Sequence, residues 1–185
     1  HHNRCRRQRQ MCIRDRGILS YSRARKNLTL VAEIVLEEAF RMAMKKLDRR
    51  FGNSLKQLED PLCFAIIGLG KLGGRELTYH SDLDLIIVHS GKSKASQNDR
   101  LLIQEYGVKL IQRTIFLLTT ITRSGFAYTM DTRLRPSGNA GVLVTPWEVY
   151  FKYHRNSQAW EHQALVKGRI CLLYTSDAAD DTCCV

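Results

Sequence analysis

The sequence has no apolar run approaching the ~18 residues that a membrane-spanning helix needs. It also has no internal repeat and no low-complexity segment, which excludes repeat and fibrous architectures. Cysteine is scarce away from the chain ends, because five of the six cysteines lie within 1–16 or 171–185. Only Cys63 lies between them, and a lone cysteine forms neither a disulfide framework nor a zinc site.

The two ends of the chain are related to each other. The stretch 6–15, "RRQRQMCIRD", and the stretch 171–180, "CLLYTSDAAD", can be encoded by complementary strands of one DNA segment, shifted by one base. A genuine basic arm and a genuine acidic tail would not explain that complementarity. The pattern is typical of a sequencing-library adapter, so 1–16 and 171–185 are predicted to be foreign to the native protein.

Positive charge dominates residues 17–170, which remain when the two end segments are set aside. The two end segments hold six of the 29 basic and four of the 18 acidic residues, which leaves 23 and 14 and a net charge of +9. That excess favours a polyanionic partner such as a nucleotide, a nucleic acid or an acidic protein. A surface cut out of a larger, better balanced protein would carry the same excess, so both interpretations stay open.

Hydrophobic periodicity divides the rest into a helical lead-in, 17–60, and an α/β core, 61–170. Amphipathic patterns predict helices and short apolar or alternating runs predict strands. The predicted helices are 28–51, 99–118, 147–153 and 159–167, with a single helical turn over 75–78. The predicted strands are 62–68, 82–90 and 125–135, and a polar loop is predicted over 91–99. Strands that alternate with helices indicate one α/β domain.

A glycine-rich turn follows the first predicted strand. Gly68, Gly70 and Gly73 in "CFAIIGLGKLGG" fit the spacing of a dinucleotide-binding loop. A Rossmann oxidoreductase is disfavoured, because no long helix fits before the next strand and that strand begins with aspartates rather than ending with one. A Walker loop is excluded because Lys71 is followed by Leu72 rather than by serine or threonine.

Two aspartates open the second predicted strand. Asp82 and Asp84 alternate with Leu83 and Leu85, so both carboxylates point to one side of the strand. Carboxylates that close repel one another unless a cation lies between them, and Mg²⁺ prefers hard oxygen ligands and substrate phosphates. Without further evidence, two aspartates at this spacing would be interpreted as a solvated strand end rather than as a metal site. A glycine loop and Asp131 on a third strand shift the interpretation to a two-metal nucleotidyltransferase.

Three longer motifs, "GLGKLGGRELTYHSDLDLI", "DTRLRPSGNAGVLVT" and "WEHQALVKGR", together resemble the glutamine synthetase adenylyltransferases. The resemblance covers about 62–169. In that family, large bacterial proteins carry two polymerase-β-like nucleotidyltransferase domains, of which one transfers AMP from ATP to a tyrosine of glutamine synthetase. The other removes the AMP by phosphorolysis. The resemblance implies a small mixed sheet flanked by helices, with 61–170 a truncated catalytic core and 17–60 its helical lead-in.

The resemblance also implies roles for single residues. The aspartates that would hold two Mg²⁺ ions are Asp82, Asp84 and Asp131. The residues that match the nucleotide-facing loop are Gly70, Lys71, Gly73, Gly74 and Ser81. The arginines that would neutralise phosphate are Arg133 and Arg135. Their alternative role is to pair with carboxylates of the domain itself.

The motif "RLRPSG" followed by "WEHQAL" favours the adenylylating half over the deadenylylating half. The resemblance implies a cytoplasmic enzyme that uses ATP and acts on glutamine synthetase, without binding nucleic acid or membrane. It also implies control by a nitrogen-signalling PII-type protein through parts of the full-length protein outside this chain. A catalytically incomplete nucleotide-binding or regulatory module is the alternative of another class.

The remaining conspicuous side chains are expected to be structural. The helix that carries Glu161 and His162 is interpreted as scaffold, and His80 is not expected to bind metal because no second histidine or cysteine lies at ligand spacing. Cys63 is expected to be a buried strand residue. The aromatic residues predicted to lie in the core are Trp147, Tyr150, Phe151, Tyr153 and Trp160.

Overall fold

The computed structural model describes residues 20–58, 61–91, 96–123 and 125–175. Its helices are α1 (Tyr21–Leu55), α2 (Gly70–Gly73), α3 (Gln97–Thr119), α4 (Trp147–His154) and α5 (Ala159–Leu165), with a 3-10 turn at Gly138–Ala140. Its strands are β1 (Cys63–Gly68), β2 (Leu83–His89), β3 (Met130–Asp131), β4 (Thr145–Pro146) and β5 (Arg169–Thr175). A small mixed sheet flanked by helices confirms the predicted fold class.

Strand β2 lies at the centre of the sheet. It pairs antiparallel with β1, and the other edge of β1 pairs antiparallel with β5. The free edge of β2 pairs in parallel with two short strands, β3 near its start and β4 at its end. The start of β2, where Asp84 lies, is therefore next to β3.

The main hydrophobic core lies on one face of this sheet. Alternate residues of β2 are buried there, namely Leu83, Leu85 and Ile87. Helices α1 and α3 cover this face and contribute fully buried side chains such as Phe40 and Leu110. The segment predicted as a lead-in thus supplies one layer of the core.

The opposite face of the sheet carries a smaller cluster. It contains Leu69, Ile86, Val88 and Tyr150. Because side chains alternate along a strand, Asp84 points to this second face, away from Leu83 and Leu85. The predicted alternation of carboxylates and leucines is confirmed.

The two long helices begin at serine caps. The Oγ of Ser20 accepts from the N–H of Arg23 at 3.3 Å, and the Oγ of Ser96 accepts from the N–H of Asp99 at 3.1 Å. Helix α3 therefore begins within the loop predicted over 91–99, of which 92–95 lie outside the described residues. Within the described ranges, no helix is long and apolar enough to cross a membrane.

Two predicted elements were wrong in place or length. The third strand, predicted over 125–135, is only Met130–Asp131. Before it, the N–H groups of Ala127 and Tyr128 donate to the carbonyl oxygen of Leu118 on α3 rather than to a strand, and after it the chain turns at Thr132. The helical turn predicted over 75–78 lies instead at Gly70–Gly73. Arg75 has a φ of +54°, a left-handed value that a right-handed helix does not accommodate.

Most of the aromatic residues predicted for the core lie at the surface. Trp160 is 62% exposed, and Trp147 and Phe151 are about half exposed, whereas Tyr150 is buried. The reason is that α4 and α5 cover only the small second cluster, to which α5 contributes no fully buried residue.

Strand β5 continues into the segment predicted to be foreign. Residues 172–175 pair with β1, with Tyr174 opposite Phe64, and the register shifts next to Cys171. The ring of Tyr174 packs edge-on against Phe40, with 6.1 Å between the ring centroids. Residues 1–19 and 176–185 lie outside the described residues, and the foreign origin of both ends stays a prediction.

Candidate active site

The glycine turn lies directly against Asp84. Gly70 is the first residue of α2 and has a φ of +51°. This left-handed value is unfavourable for residues other than glycine. A Cβ at Gly70 would lie 2.6 Å from Oδ2 of Asp84, too close for two non-bonded atoms. A Cβ at Gly73 would lie 2.0 Å from the backbone oxygen of Lys167. Both positions therefore require glycine because of close approach.

Backbone hydrogen bonds fix this turn to β2. The N–H of Leu69 donates to the carbonyl oxygen of Asp84 at 2.8 Å. The N–H of Gly73 donates to Leu69 at 2.9 Å, and the N–H of Gly74 donates to Gly70 at 3.1 Å. The amides of Gly73 and Gly74 are thus used inside the turn rather than turned towards a ligand.

The three aspartates share one electrostatic environment. Asp84 and Asp131 are direct partners in the parallel register of β2 and β3, so their side chains lie on the same face of the sheet. Asp82 lies two residues before Asp84 and shares its side. The pKa of Asp84 is raised above its usual range by burial first, and then by repulsion from Asp131 and Asp82.

Asp131 is held by Arg133. Nε of Arg133 lies 3.0 and 2.9 Å from the two carboxylate oxygens, and Nη2 lies 2.5 Å from Oδ2. The backbone N–H of Arg133 donates to Oδ1 at 2.9 Å. These bonds lower the pKa of Asp131, whose side chain is largely covered while that of Arg133 is largely exposed. Arg133 therefore binds a carboxylate of the domain, which was the alternative to phosphate binding.

Asp82 is exposed at the open end of the cluster and is oriented by Thr129. The hydroxyl of Thr129 donates to Oδ1 of Asp82, and the carbonyl of Thr129 accepts from the N–H of Leu83 at 2.9 Å. Sequence reasoning missed Thr129. Its position two residues before Asp131, on the same side of an extended chain, was the available signal.

Lys71 and Ser81 meet at a second residue that sequence reasoning missed. Nζ of Lys71 lies 3.5 Å from Oγ1 of Thr78, which lies 2.9 Å from Oγ of Ser81. The N–H of Thr78 also donates to Oγ of Ser81 at 3.2 Å. The charge of Lys71 opposes the rise in the pKa of Asp84, so the ammonium group acts on the aspartate cluster.

Arg135 does not join the aspartate cluster through hydrogen bonds. Its Nη1 donates to both the carbonyl oxygen and the hydroxyl of Thr132 at 2.8 Å. Its Nε donates to the carbonyl oxygen of Gly141 at 3.3 Å. The guanidinium therefore braces the turn that follows β3, which includes Ser137 at a left-handed φ of +60°.

The carboxylate oxygens of the three aspartates are the ligands that Mg²⁺ prefers. In the part of the chain that the structure describes, however, no three acidic, histidine or cysteine side chains are grouped closely enough to hold a metal ion. Arg133 supplies the positive charge at Asp131. The donor set fits Mg²⁺ chemically, but an ion shared by all three aspartates would have to displace Arg133 from Asp131.

A sequence model of the glutamate–ammonia ligase adenylyltransferase family matches residues 6–181, which is most of the chain. The chain belongs to this family. The match confirms the resemblance carried by the glycine, aspartate and arginine motifs. Its span includes parts of 1–16 and 171–185, whose origin it does not decide.

Curated relatives named bifunctional glutamine synthetase adenylyltransferase/adenylyl-removing enzyme are similar to this chain. The protein from Haemophilus ducreyi is 38% identical over 169 residues, which are 89% of this chain and 18% of that relative. The protein from Alteromonas mediterranea is 43% identical over 148 residues, which are 78% of this chain and 15% of that relative. The chain thus spans less than a fifth of the length of these relatives.

Proposed function

We propose that this chain carries a nucleotidyltransferase site that moves AMP between ATP and a tyrosine of glutamine synthetase. The observation that carries the proposal is the direct pairing of Asp84 with Asp131, with Asp82 on the same side and the glycine turn against them. Membership of an adenylyltransferase family supports it, since the relatives are named for both addition and removal of adenylyl groups.

In this proposal Asp82, Asp84 and Asp131 would hold two Mg²⁺ ions, which would supply positive charge for the triphosphate and the acceptor oxygen. The chain's own groups bind and orient the nucleotide. The glycine at position 70 lets the turn lie directly against the Asp84 carboxylate, so backbone N–H groups of the turn would be near the phosphates that the metal ions bind. The backbone N–H groups that would contact phosphate are those of Gly70, Lys71 and Leu72. The N–H groups of Gly73 and Gly74 already donate to carbonyl oxygens within the turn.

The ammonium group of Lys71 and the hydroxyl of Ser81 lie on the two sides of Thr78, so one hydrogen-bonded unit would face the phosphates. Arg133 would move from Asp131 to phosphate when the ions bind, since a guanidinium forms forked bonds with either anion. Arg135 would act only indirectly, by holding the turn after β3.

We assign the chain to the adenylylating half on the motif "RLRPSG" followed by "WEHQAL", with the deadenylylating half as the alternative. Both halves would use the same aspartates. In the longer protein a PII-type regulator would act through parts outside this chain, in the cytoplasm. The direction of AMP transfer separates the two halves.

A catalytically incomplete nucleotide-binding module is the second candidate. The ion pair between Asp131 and Arg133 favours it, because the pair neutralises the third carboxylate without a metal. Such a module would bind ATP but would not transfer AMP.

The test uses the protein in its full-length context with α-³²P-labelled ATP, glutamine synthetase and Mg²⁺. We expect label to appear on glutamine synthetase. We expect no labelling when EDTA removes the metal before the reaction. Release of label from adenylylated glutamine synthetase by inorganic phosphate, with no forward transfer by this site, would assign the deadenylylating half. Saturable ATP binding without either reaction would support the incomplete module and overturn the proposed enzyme.

A further inference from the structure

The glycine turn is held from behind by Arg169, the first residue of β5. Nε of Arg169 donates to the carbonyl oxygen of Gly73 at 3.3 Å, and Nη2 donates to that of Leu72 at 3.2 Å. Nη2 also donates to Oε1 of Glu33 on α1. One guanidinium therefore joins the turn to a helix that is distant in sequence.

Both members of this ion pair are partly buried. The side chains of Arg169 and Glu33 are 27% and 19% exposed. The backbone of Arg169 is fixed as well, because it is the register partner of Gly68, where β1 enters the turn. A guanidinium anchored at both ends offers a rigid pair of donors, unlike a solvated surface arginine.

Helix α1 contacts the segment after the turn at two further points. Thr29, which is buried, accepts from the N–H of Leu77 at 3.3 Å. Nη2 of Arg25 lies 3.1 Å from Oε2 of Glu76. Arg25, Thr29 and Glu33 are spaced four residues apart, so they form one row along the helix.

The carbonyl oxygens that Arg169 binds belong to the last residues of α2. The carbonyl oxygen of Leu72 also accepts from the N–H of Arg75 at 3.2 Å, so Arg169 adds a donor from outside the turn at the end of this short helix. Because a Cβ at Gly70 would already collide with Asp84, a small rotation of this turn changes the gap between loop and carboxylate. The two Arg169 nitrogens that donate to the carbonyl oxygens of Leu72 and Gly73 therefore set the distance between the loop and the carboxylate.

We propose that Arg169 and Glu33 are positioning residues for the nucleotide-facing loop. They fix the glycine turn against Asp84 from the side remote from the substrate, and neither touches the nucleotide. The inference rests on the proposed nucleotidyltransferase function for its kinetic consequence, but the restraint on the loop is a property of the fold alone.

The test compares Arg169→Met, Glu33→Gln and the double variant, all in the full-length context. We expect amide hydrogen exchange of peptides covering 68–77 to rise about tenfold in each single variant, which corresponds to an opening free energy lowered by about 1.4 kcal/mol. The KM for ATP should rise by a similar factor while kcat at saturating ATP falls less than about threefold, because ATP then orders the loop. The double variant should match Arg169→Met, since both changes remove one link.

Lys109→Met is the matched control. It breaks the ion pair with Glu105 on α3, a pair remote from the turn, and should leave both readouts unchanged. Arg169→Lys should restore part of the protection, because an ammonium group keeps the charge but not the fork. Should Arg169→Met fail to fold, Glu33→Gln carries the same test, since it keeps the arginine.

The outcomes separate this inference from the proposed function. Unchanged exchange over 68–77 and an unchanged KM, in a protein that transfers AMP, would overturn the positioning role and leave the enzyme standing. Raised exchange over 68–77, in a protein that transfers no AMP, would support the restraint and overturn the enzyme. Exchange that rises equally in α3 would indicate general destabilisation and would also overturn the positioning role.

Discussion

Asp84 and Asp131 are register partners on adjacent parallel strands, and this pairing brings together carboxylates that are far apart in the sequence. Strand β3 consists of only two residues, yet one of them supplies the third carboxylate. The pKa of Asp84 is raised by burial first, and the repulsion from Asp131 and Asp82 raises it further. The charges of Arg133 and Lys71 oppose that rise, so positive side chains offset part of the repulsion.

Replacement of Asp82 by asparagine should abolish AMP transfer and leave the fold intact. The substitution keeps the volume of an exposed side chain but removes one of three clustered charges. Transfer of label to glutamine synthetase and the thermal midpoint measure the two effects in the full-length context. Glu38→Gln is the control, since Glu38 is an exposed acid of α1 that pairs with its helix neighbour Arg41. Undiminished transfer by Asp82→Asn would disprove the metal role of this aspartate.

Gly70→Ala should lower both stability and AMP transfer. The left-handed backbone alone costs a side chain about 1–2 kcal/mol, and the added Cβ would push against Oδ2 of Asp84. Urea unfolding and label transfer measure the change.

Gly52→Ala is the matched control for that substitution. Gly52 lies within α1, and its Cβ would meet Asp48 at an ordinary 3.8 Å. Helix propensity predicts a stabilisation of about 0.5–1 kcal/mol with no effect on transfer. A Gly70→Ala variant as stable and as active as this control would contradict the close approach at Asp84.

His89 should make the stability of the fold depend on pH. This residue is buried at the end of β2, where its Nδ1 accepts from the N–H of Gly91 at 3.0 Å, and burial lowers its pKa to about 4. The unfolded chain binds this proton near pH 6.5 and the folded chain only near pH 4, so stability is lost as pH falls between those values. From pH 7.5 to pH 5 the loss from this group is about 2 kcal/mol.

Urea unfolding of His89→Asn at both pH values tests this expectation. Asparagine keeps an acceptor for Gly91 but does not titrate, so the variant should lose that part of the pH dependence. Gln163→Asn, at an exposed position on α5 that carries no titrating side chain, should keep the slope of the unsubstituted protein. Equal slopes for His89→Asn and the unsubstituted protein would show that the buried histidine does not control acid sensitivity.

Tyr174→Ala should destabilise the fold although residue 174 lies in the segment predicted to be foreign. Its ring packs against Phe40 of the main core, and burial raises its pKa. We expect a loss of about 2 kcal/mol in the free energy of unfolding. Leu173→Ala is the control, because Leu173 is 65% exposed and points away from that core. Equal and small effects of both substitutions would show that this end of β5 adds nothing to the core.

The elements that the sequence predicted well are those with a continuous hydrophobic pattern. Strands β1 and β2 and helix α3 lie within two residues of their predicted bounds, because burial on a known face leaves a periodic record in the chain. Helix α1 lies over its predicted stretch but begins earlier, at a serine cap. The predicted length of the third strand was wrong because only two of its residues pair with β2, and a pairing of two residues leaves no periodic pattern in the sequence.

The errors in the aromatic residues have a different cause. Trp147, Phe151 and Trp160 lie on helices whose apolar residues outnumber the places available on the second face of the sheet. Composition gives the number of apolar side chains, but it does not give the area against which they pack.

The sequence by itself determined the chemical groups of the site and the family. The order of residues shows the carboxylates at alternate positions and the glycines at which a side chain would collide. These features can be predicted from sequence because strand geometry and steric exclusion act locally. Only the tertiary structure decided that Asp131 is bound by Arg133 and that Arg169 and Glu33 hold the turn from behind. Those contacts depend on which surfaces the core brings together, since a hydrogen bond reaches only a few ångströms whatever the distance along the chain.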